Sequence, residues 1–296
     1  MRKRMVILGS LLLVLSLVVS LAAAGAAKLR FAMVTDIGGL GDQSFNDAAW
    51  DGMQMLRKEY GAEVKVLESK KAEDYIPNLK SLAEQGYDMI WAVGFLMADA
   101  LNNVAAQYPK INFGIIDSVV DKPNVTSVTF REEQGSFLVG LVAGKMTKTN
   151  LVGFVGGMQF PLIEKFQAGY EAGVKAANPK AKVLVNYVGS FADPTKGKET
   201  ALAQFNLGAD IVYHAAGATG TGVIEAAKSL GKGRWAIGVD KDQHHLAPDN
   251  VLVCMIKRVD VGVFEGTKAV LEGKGGGAME LGLKEDGVGV CKSAPK

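Results

Sequence analysis

Leu29-Arg-Phe-Ala-Met-Val-Thr35 runs straight into Asp36-Ile-Gly-Gly-Leu-Gly-Asp-Gln-Ser-Phe-Asn46. The first part is a short apolar run that reads as a strand. The second joins a strand-end carboxylate (Asp36), a turn with three glycines (Gly38, Gly39, Gly41) and a polar and aromatic cluster, with Ser44 placed to cap a helix through about residue 60. Strand, glycine turn and helix in that order make the opening βα unit of an open α/β sheet. Ligands in such sheets bind beyond the carboxyl ends of the strands, where this cluster falls.

The same alternation continues outward along the chain. Short β-branched or apolar runs at 29–35, 63–68, 89–93, 112–116, 125–130, 151–155, 182–187, 211–214, 235–239 and 251–256 predict ten strands, separated by segments of helical period. Helices are expected at 77–85, 97–107, 133–147, 160–177, 195–206, 223–230 and 261–271 after the first. Ten strands exceed one comfortable doubly wound sheet, so two lobes are expected. A new helix after Phe130 marks the start of the second lobe. The segment after Lys257 leads to one further helix and a last strand-like piece, so the chain is expected to cross between lobes more than once. The predicted division is 28–130 plus about 258–276 for the N-terminal lobe, and 131–257 plus about 277–296 for the C-terminal lobe.

Residues 1–27 carry Arg2, Lys3 and Arg4, then an uncharged apolar run ending in small residues. That order predicts a cleavable secretory signal peptide, with cleavage after Ala24 or Ala27. The run is also long enough to act as an uncleaved anchor. No cysteine lies near the cleavage region, so lipid attachment there is not expected. The full chain holds 33 basic and 31 acidic residues, and removal of 1–27 leaves 30 against 31. That balance points to neither nucleic acid nor an anionic membrane as a partner. Cys254 and Cys291 each sit in an apolar strand-like run of a chain expected in an oxidising compartment. A disulfide and two buried thiols both fit that pattern.

Three strand ends offer an aspartate: Asp36, Asp117 and Asp240. One such residue is ordinarily a helix cap, but three in the same topological place suit a ligand rich in hydroxyl or N–H donors. Phe45 and Phe191 follow strands of opposite lobes and sit among Gly, Ser, Asn and Asp. A flat ring held between them would gain about 1–3 kcal/mol per stacking face. Gly217-Ala-Thr-Gly-Thr-Gly222 lies between a strand and a helix expected from Val223, so its backbone N–H groups could approach a ligand. Asp240 follows 18 residues after Gly222, but G-x-x-G-x-G is not the dinucleotide order, which leaves a tight β–α turn as the main reading. Lys257 ends a buried-type strand near the expected hinge, where it could donate to a ligand hydroxyl or ring nitrogen. Asp240, Asp242, His244 and His245 have metal-ligand chemistry, yet adjacent histidines seldom face one ion, and no metal or other cofactor is expected. No nucleophile elbow, zinc-protease or P-loop pattern occurs, so an enzyme is not expected.

Taken together, Thr35-Asp36, Gly41-Asp-Gln-Ser-Phe-Asn46, Ile115-Ile-Asp117, Glu133-Gln-Gly-Ser-Phe-Leu-Val-Gly140, Gly217 to Gly222, Gly238-Val-Asp-Lys-Asp-Gln243, Met255-Ile-Lys-Arg-Val-Asp260 and Leu281-Gly-Leu-Lys-Glu-Asp-Gly287 resemble the basic membrane protein family. Its members are substrate-binding proteins of ABC importers, the best understood being purine nucleoside receptors. The resemblance implies a type I periplasmic binding protein fold: two Rossmann-like α/β lobes, a hinge and an interlobe ligand cleft. It further implies that Phe45 and Phe191 sandwich a base, that Asp36 and Asn46 read its polar edge, and that Asp117, Gly217, Asp240 and Lys257 hold the ribose. The implied partners are a nucleoside and an ABC permease with its ATPase in the inner membrane, for a monomer free in the periplasm and without a lipobox cysteine. The alternative on the same scaffold is another small polar ligand, such as a sugar or a flavin-like ring. A transcriptional regulator can share the fold, but no helix-turn-helix precedes the first lobe. Relatives continue into a terminal helix past the Leu281–Gly287 segment, so the C-terminal end is expected to be short or incomplete.

Overall fold

Apolar runs too short for a helix and apolar at successive positions are suited to strands buried on both faces, and parallel sheets covered by helices need such strands. The computed structural model describes residues 28–295, and all ten runs form strands there. They are β1 (Arg30–Val34), β2 (Glu63–Leu67), β3 (Met89–Val93), β4 (Asn112–Ile116), β5 (Val125–Phe130), β6 (Leu151–Gly156), β7 (Lys182–Tyr187), β8 (Ile211–Ala215), β9 (Trp235–Asp240) and β10 (Val251–Lys257). Every residue of the central strands β3 and β8 is buried, whereas the edge strands β2 and β7 are mostly half-buried. Between them run α1 (Phe45–Tyr60), α2 (Tyr75–Glu84), α3 (Ala98–Gln107), α4 (Glu132–Met146), α5 (Pro161–Ala177), α6 (Pro194–Asn206), α7 (Thr219–Leu230) and α8 (Val259–Leu271). The predicted helix from Val223 starts four residues earlier, at Thr219.

Two further strands, β11 (Gly277–Leu281) and β12 (Val288–Val290), complete two six-stranded sheets. The first has the order β11-β5-β4-β3-β1-β2 and is parallel throughout. The second has the order β12-β10-β9-β8-β6-β7, with only β12 antiparallel. The two lobes are therefore α/β, and each reverses its strand order at one point, between β1 and β3 in the first and between β6 and β8 in the second. Such switch points open a crevice at the carboxyl ends of the strands, where a ligand can enter.

One predicted boundary is corrected. Residues 277–281, expected in the second lobe, pair with β5 of the first, in register from Gly277↔Thr126 to Leu281↔Phe130. Without that strand the backbone of β5 would present an open edge. Gly-Ala-Met-Glu-Leu after a run of glycines lacks the β-branched content that marks the other strands, so its pairing was not legible. The chain consequently passes between the sheets three times: from β5 into α4, from β10 into α8, and from β11 to β12. Arg131 and Arg258 mark the first two passages. Arg131 N–H donates to Leu281 O and its side chain pairs with Glu280 at 2.8 Å, while Arg258 N–H donates to Gly287 O. All three connections are thus tied side by side into one hinge. Among the described residues no helix is long and apolar enough to cross a membrane. The expected signal peptide, residues 1–27, lies outside the described residues.

Candidate functional site

The loops at the carboxyl ends of both sheets enclose about 540 Å³ of space, part of it open to solvent. Asp36, Phe45, Asn46, Asp117, Phe191, Gly217, Asp240 and Lys257, the eight residues singled out from sequence, all lie on the wall of this one cavity.

The first lobe supplies a carboxylate-rich rim. Asp42, not Ser44, caps α1: its carboxylate accepts backbone N–H bonds from Ser44 (2.9 Å), Asn46 (2.8 Å) and Asp47 (3.1 Å). A carboxylate takes several donors at a positive helix end better than one hydroxyl can, and Ser44 is freed for another role. Its Oγ donates across the cleft to Asp240 Oδ2 at 2.5 Å. Asn46 Nδ2 donates to Asp36 Oδ1 (2.8 Å) and to Asp42 Oδ2 (3.1 Å), which fixes the orientation of the amide. Its Oδ1 is buried with no hydrogen-bond partner among the described residues. Asp36 also accepts Gly38 N–H at 2.9 Å. Burial outweighs both donors and pushes the Asp36 carboxyl up to about 6, with Asp42 and Asp117 adding like-charge repulsion.

Asp117 directly follows β4 and Asp240 ends β9, both with left-handed backbone (φ 69° and 64°), and Gly217 after β8 has φ 54°. Such a backbone is uncommon outside glycine, although aspartate tolerates it better than most residues. Here it turns two carboxylates from strand ends into one cavity. Burial raises the Asp240 carboxyl to about 6 despite the opposing effects of Lys257 and Ser44. Lys257 Nζ lies 2.6 Å from Asp117 Oδ2 and 3.0 Å from Glu132 Oε1, with all three side chains almost wholly buried. Burial works against the ammonium, yet Asp117, Glu132 and Asp240 outweigh it and hold Lys257 protonated. The rings of Phe45, Phe130 and Phe166 surround Nζ at 5.3, 5.0 and 5.4 Å. Asp117 Oδ1 has no partner among the described residues.

Phe45 and Phe191 reach the cavity from opposite lobes, and Phe95 meets Phe191 edge to face at 6.3 Å. Phe191 is held from behind. A Cβ at Gly157, in the loop after β6, would overlap its ring. Gly157→Ala is therefore expected to displace Phe191 and weaken ligand binding by about 10- to 100-fold, the value of one stacking face. Calorimetry on a variant with an unchanged circular dichroism spectrum checks this, and unchanged affinity would remove Phe191 from a stacking role.

Several features were not legible from sequence. Phe95 follows β3 in an apolar stretch that resembles core, and Phe166 has the spacing of an inward-facing helix residue. Glu132 lay within an unremarkable Arg-Glu-Glu. The glycine series from Gly217 to Gly222 forms the β–α turn and the start of the next helix. Only Gly217 and Ala218 of that series line the cavity, while α7 begins at Thr219. A Cβ at Gly220 would overlap the His214 ring, so this glycine serves close packing of α7 on β8. Asp240 and Asp242 also separate: the first faces the cavity, and the second lies with His244 on the far side of the loop.

Residues 30–295 match the family model described as "ABC transporter substrate-binding protein PnrA-like". The chain is 42% identical over 283 residues to the "CD4+ T-cell-stimulating antigen" of Listeria monocytogenes, covering 88% of this chain and 79% of that protein. It is 41% identical over 282 residues to the "ABC transporter nucleoside-binding protein BmpA" of Lactococcus lactis subsp. cremoris, covering 88% and 80%. Among solved structures, an ABC transporter solute-binding protein from Aeropyrum pernix K1 superposes with a TM-score of 0.83 at 33% identity, over 89% of this chain and 76% of that one. Two hinged α/β lobes, a cavity at their switch points and a family match spanning nearly every described residue lead to one conclusion: the chain belongs to the PnrA-like family of ABC transporter substrate-binding proteins.

Proposed function

We propose that this protein is exported, binds a purine nucleoside between its lobes, and delivers it to the permease and ATPase of an ABC importer without making or breaking a bond. One observation carries the reading: the wall sets aromatic rings from both lobes beside buried acceptors that have no partner of their own. Among its lining residues, four carboxylates (Asp36, Asp42, Asp117 and Asp240) face a single cation, Lys257. Such a wall suits ribose hydroxyls and ring N–H groups and rejects phosphate, so it selects nucleosides over nucleotides.

The base edge can be read further. Asp36 and Asn46 Oδ1 both present acceptors. Guanosine offers adjacent N1–H and N2–H donors, and inosine offers N1–H beside a neutral C–H. Uridine's single N–H is flanked by two carbonyls, which would be set against these acceptors. The name of the Lactococcus relative, a nucleoside-binding protein, supports the same ligand class.

Titration calorimetry with guanosine, inosine, uridine, ribose and guanosine monophosphate tests this. Guanosine and inosine are expected to bind one per chain and to be recovered unchanged, with uridine and the nucleotide weaker by at least ~100-fold. No heat and no thermal shift across the panel would overturn the reading. Ribose binding as tightly as guanosine would replace it with a sugar receptor.

A further inference from the structure

Four side chains that the nucleoside cavity does not use meet behind it. Asp242 and His244 lie in the loop after β9, Cys254 lies in β10, and Cys291 directly follows β12. One donor atom from each lies within 4.8 Å of all the others. His244 Nδ1 is 2.8 Å from Asp242 Oδ1, 3.8 Å from Cys254 Sγ and 3.9 Å from Cys291 Sγ, and Cys254 Sγ is 4.0 Å from Asp242 Oδ1. Around a tetrahedral zinc ion, with bonds of about 2.3 Å to sulfur and about 2.0–2.2 Å to nitrogen and oxygen, donors stand roughly 3.3–3.8 Å apart. Changes of about half an ångström in these four separations, and of no more than about 1 Å in the other two, would bring the donors to the corners of such a site.

The surroundings support thiolate ligands. Both cysteines are free. Gln243 N–H points at Cys254 Sγ (3.2 Å) and Cys254 N–H at Cys291 Sγ (2.9 Å), so each sulfur already accepts a backbone donor. Ser293 Oγ donates to Asp242 Oδ2, which orients the carboxylate and leaves Oδ1 toward the cluster. Hydrogen bonds of this kind position ligands around protein-bound metals. The sequence concealed the arrangement because the histidine and aspartate stand next to cavity residues while the second cysteine lies 37 positions beyond the first.

We propose that Asp242, His244, Cys254 and Cys291 form a zinc site. Its ion would clasp β12 and the C-terminal end to the β9–β10 loop. That loop also touches the opposite lobe, through Gln243 Nε2 to Gln43 O (3.0 Å) and His245 Nε2 to Gln43 Oε1 (3.1 Å). The ion therefore stiffens one rim of the cleft without touching the ligand. On binding, protons leave the thiols, and His244 coordinates through Nδ1 as a neutral imidazole with its ring proton on Nε2.

The test uses the full chain, purified under a non-thiol reductant, incubated with zinc chloride and desalted. Elemental analysis is expected to find one zinc per chain, and thermal unfolding to shift upward by on the order of 5 °C relative to chelator-treated protein. Cobalt(II) added to the metal-free chain is expected to give tetrahedral d–d bands and a thiolate charge-transfer band. Cys291→Ser, at the half-buried end of β12, is expected to lose the charge-transfer intensity of one thiolate and most of the zinc. If that variant fails to fold, the cobalt spectrum of the parent chain decides alone. Absence of bound zinc and of the thiolate band in the parent would overturn the site. So would a Cys254–Cys291 disulfide found by peptide mapping of protein recovered from its exported compartment without reductant, because these residues also face each other across β10 and β12.

Discussion

Lys257→Met is expected to destabilise the protein by about 3–5 kcal/mol, the usual effect of removing one partner from a buried ionic cluster. In a chain of this size that lowers the melting temperature by about 5–10 °C. The argument starts from position. Lys257 is the last residue of β10, where a strand of apolar residues delivers one cation into the join between the lobes. Asp117 comes from the first sheet and Glu132 from the first turn of α4, and both lie within 3.0 Å of its ammonium. Remove the ammonium and two buried carboxylates face each other and Asp240 without a counter-charge.

The same argument fixes the pH dependence of that variant. Burial already raises the carboxyls of Asp117 and Glu132, and Lys257 is the main influence holding them down. Without Lys257 their folded-state values rise further above those of the unfolded chain. A carboxyl raised on folding binds its proton more tightly in the folded state, so stability is gained as pH falls through the folded value and lost as pH rises through it. The deficit of Lys257→Met is therefore expected to be large at pH 7.5 and to shrink toward pH 5, the reverse of ordinary acid denaturation. Urea unfolding at both pH values measures it. A variant as stable as the parent at pH 7.5 would show that the carboxylates do not depend on the lysine.

The two-lobe fold and the composition of the cavity wall were legible in the sequence for a common reason. Parallel strands buried by helices on both faces need continuous apolar runs, and the polar residue that ends each run falls where a ligand can reach it. Asp36, Asp117 and Asp240 were visible on that ground alone. Features that depend on distant segments meeting were not. Glu132 gains its meaning only when Lys257, 125 residues later, arrives beside it, and Gly220 only when α7 lies down on His214. β11 has no strand composition of its own and is held by the open edge of β5. Ser44 was visible as a polar residue at a helix start, but its choice of Asp240 over the helix end depends on Asp42 filling the cap.

Asp36→Asn is expected to trade ligand affinity for stability. In the folded protein the Asp36 carboxyl is raised from 3.8 to about 6. That rise corresponds to about 3 kcal/mol of unfavourable ionisation at neutral pH. Asparagine keeps an oxygen able to accept the Asn46 and Gly38 N–H groups while removing the buried charge, so the melting temperature at pH 7.5 is expected to rise by on the order of 5 °C. In the proposed site its other atom becomes an N–H donor facing the base. Guanosine and inosine would then lose a charge-assisted bond and meet a like donor, an expected loss of about 100- to 1,000-fold in affinity. Adenosine, whose ring N1 accepts, would lose far less, so the preference between the two kinds of purine narrows or inverts. The acid side of the parent's binding curve carries the same signature. A ligand that donates to Asp36 and Asp240 binds their ionised forms, and burial raises each to about 6. Affinity for inosine is therefore expected to fall below pH 6 by up to two decades per pH unit, and by only one in Asp36→Asn. Calorimetry of the parent and variant between pH 4.5 and 7.5 measures both effects. A variant with unchanged affinity for inosine and an unchanged pH slope would show that Asp36 does not face the base.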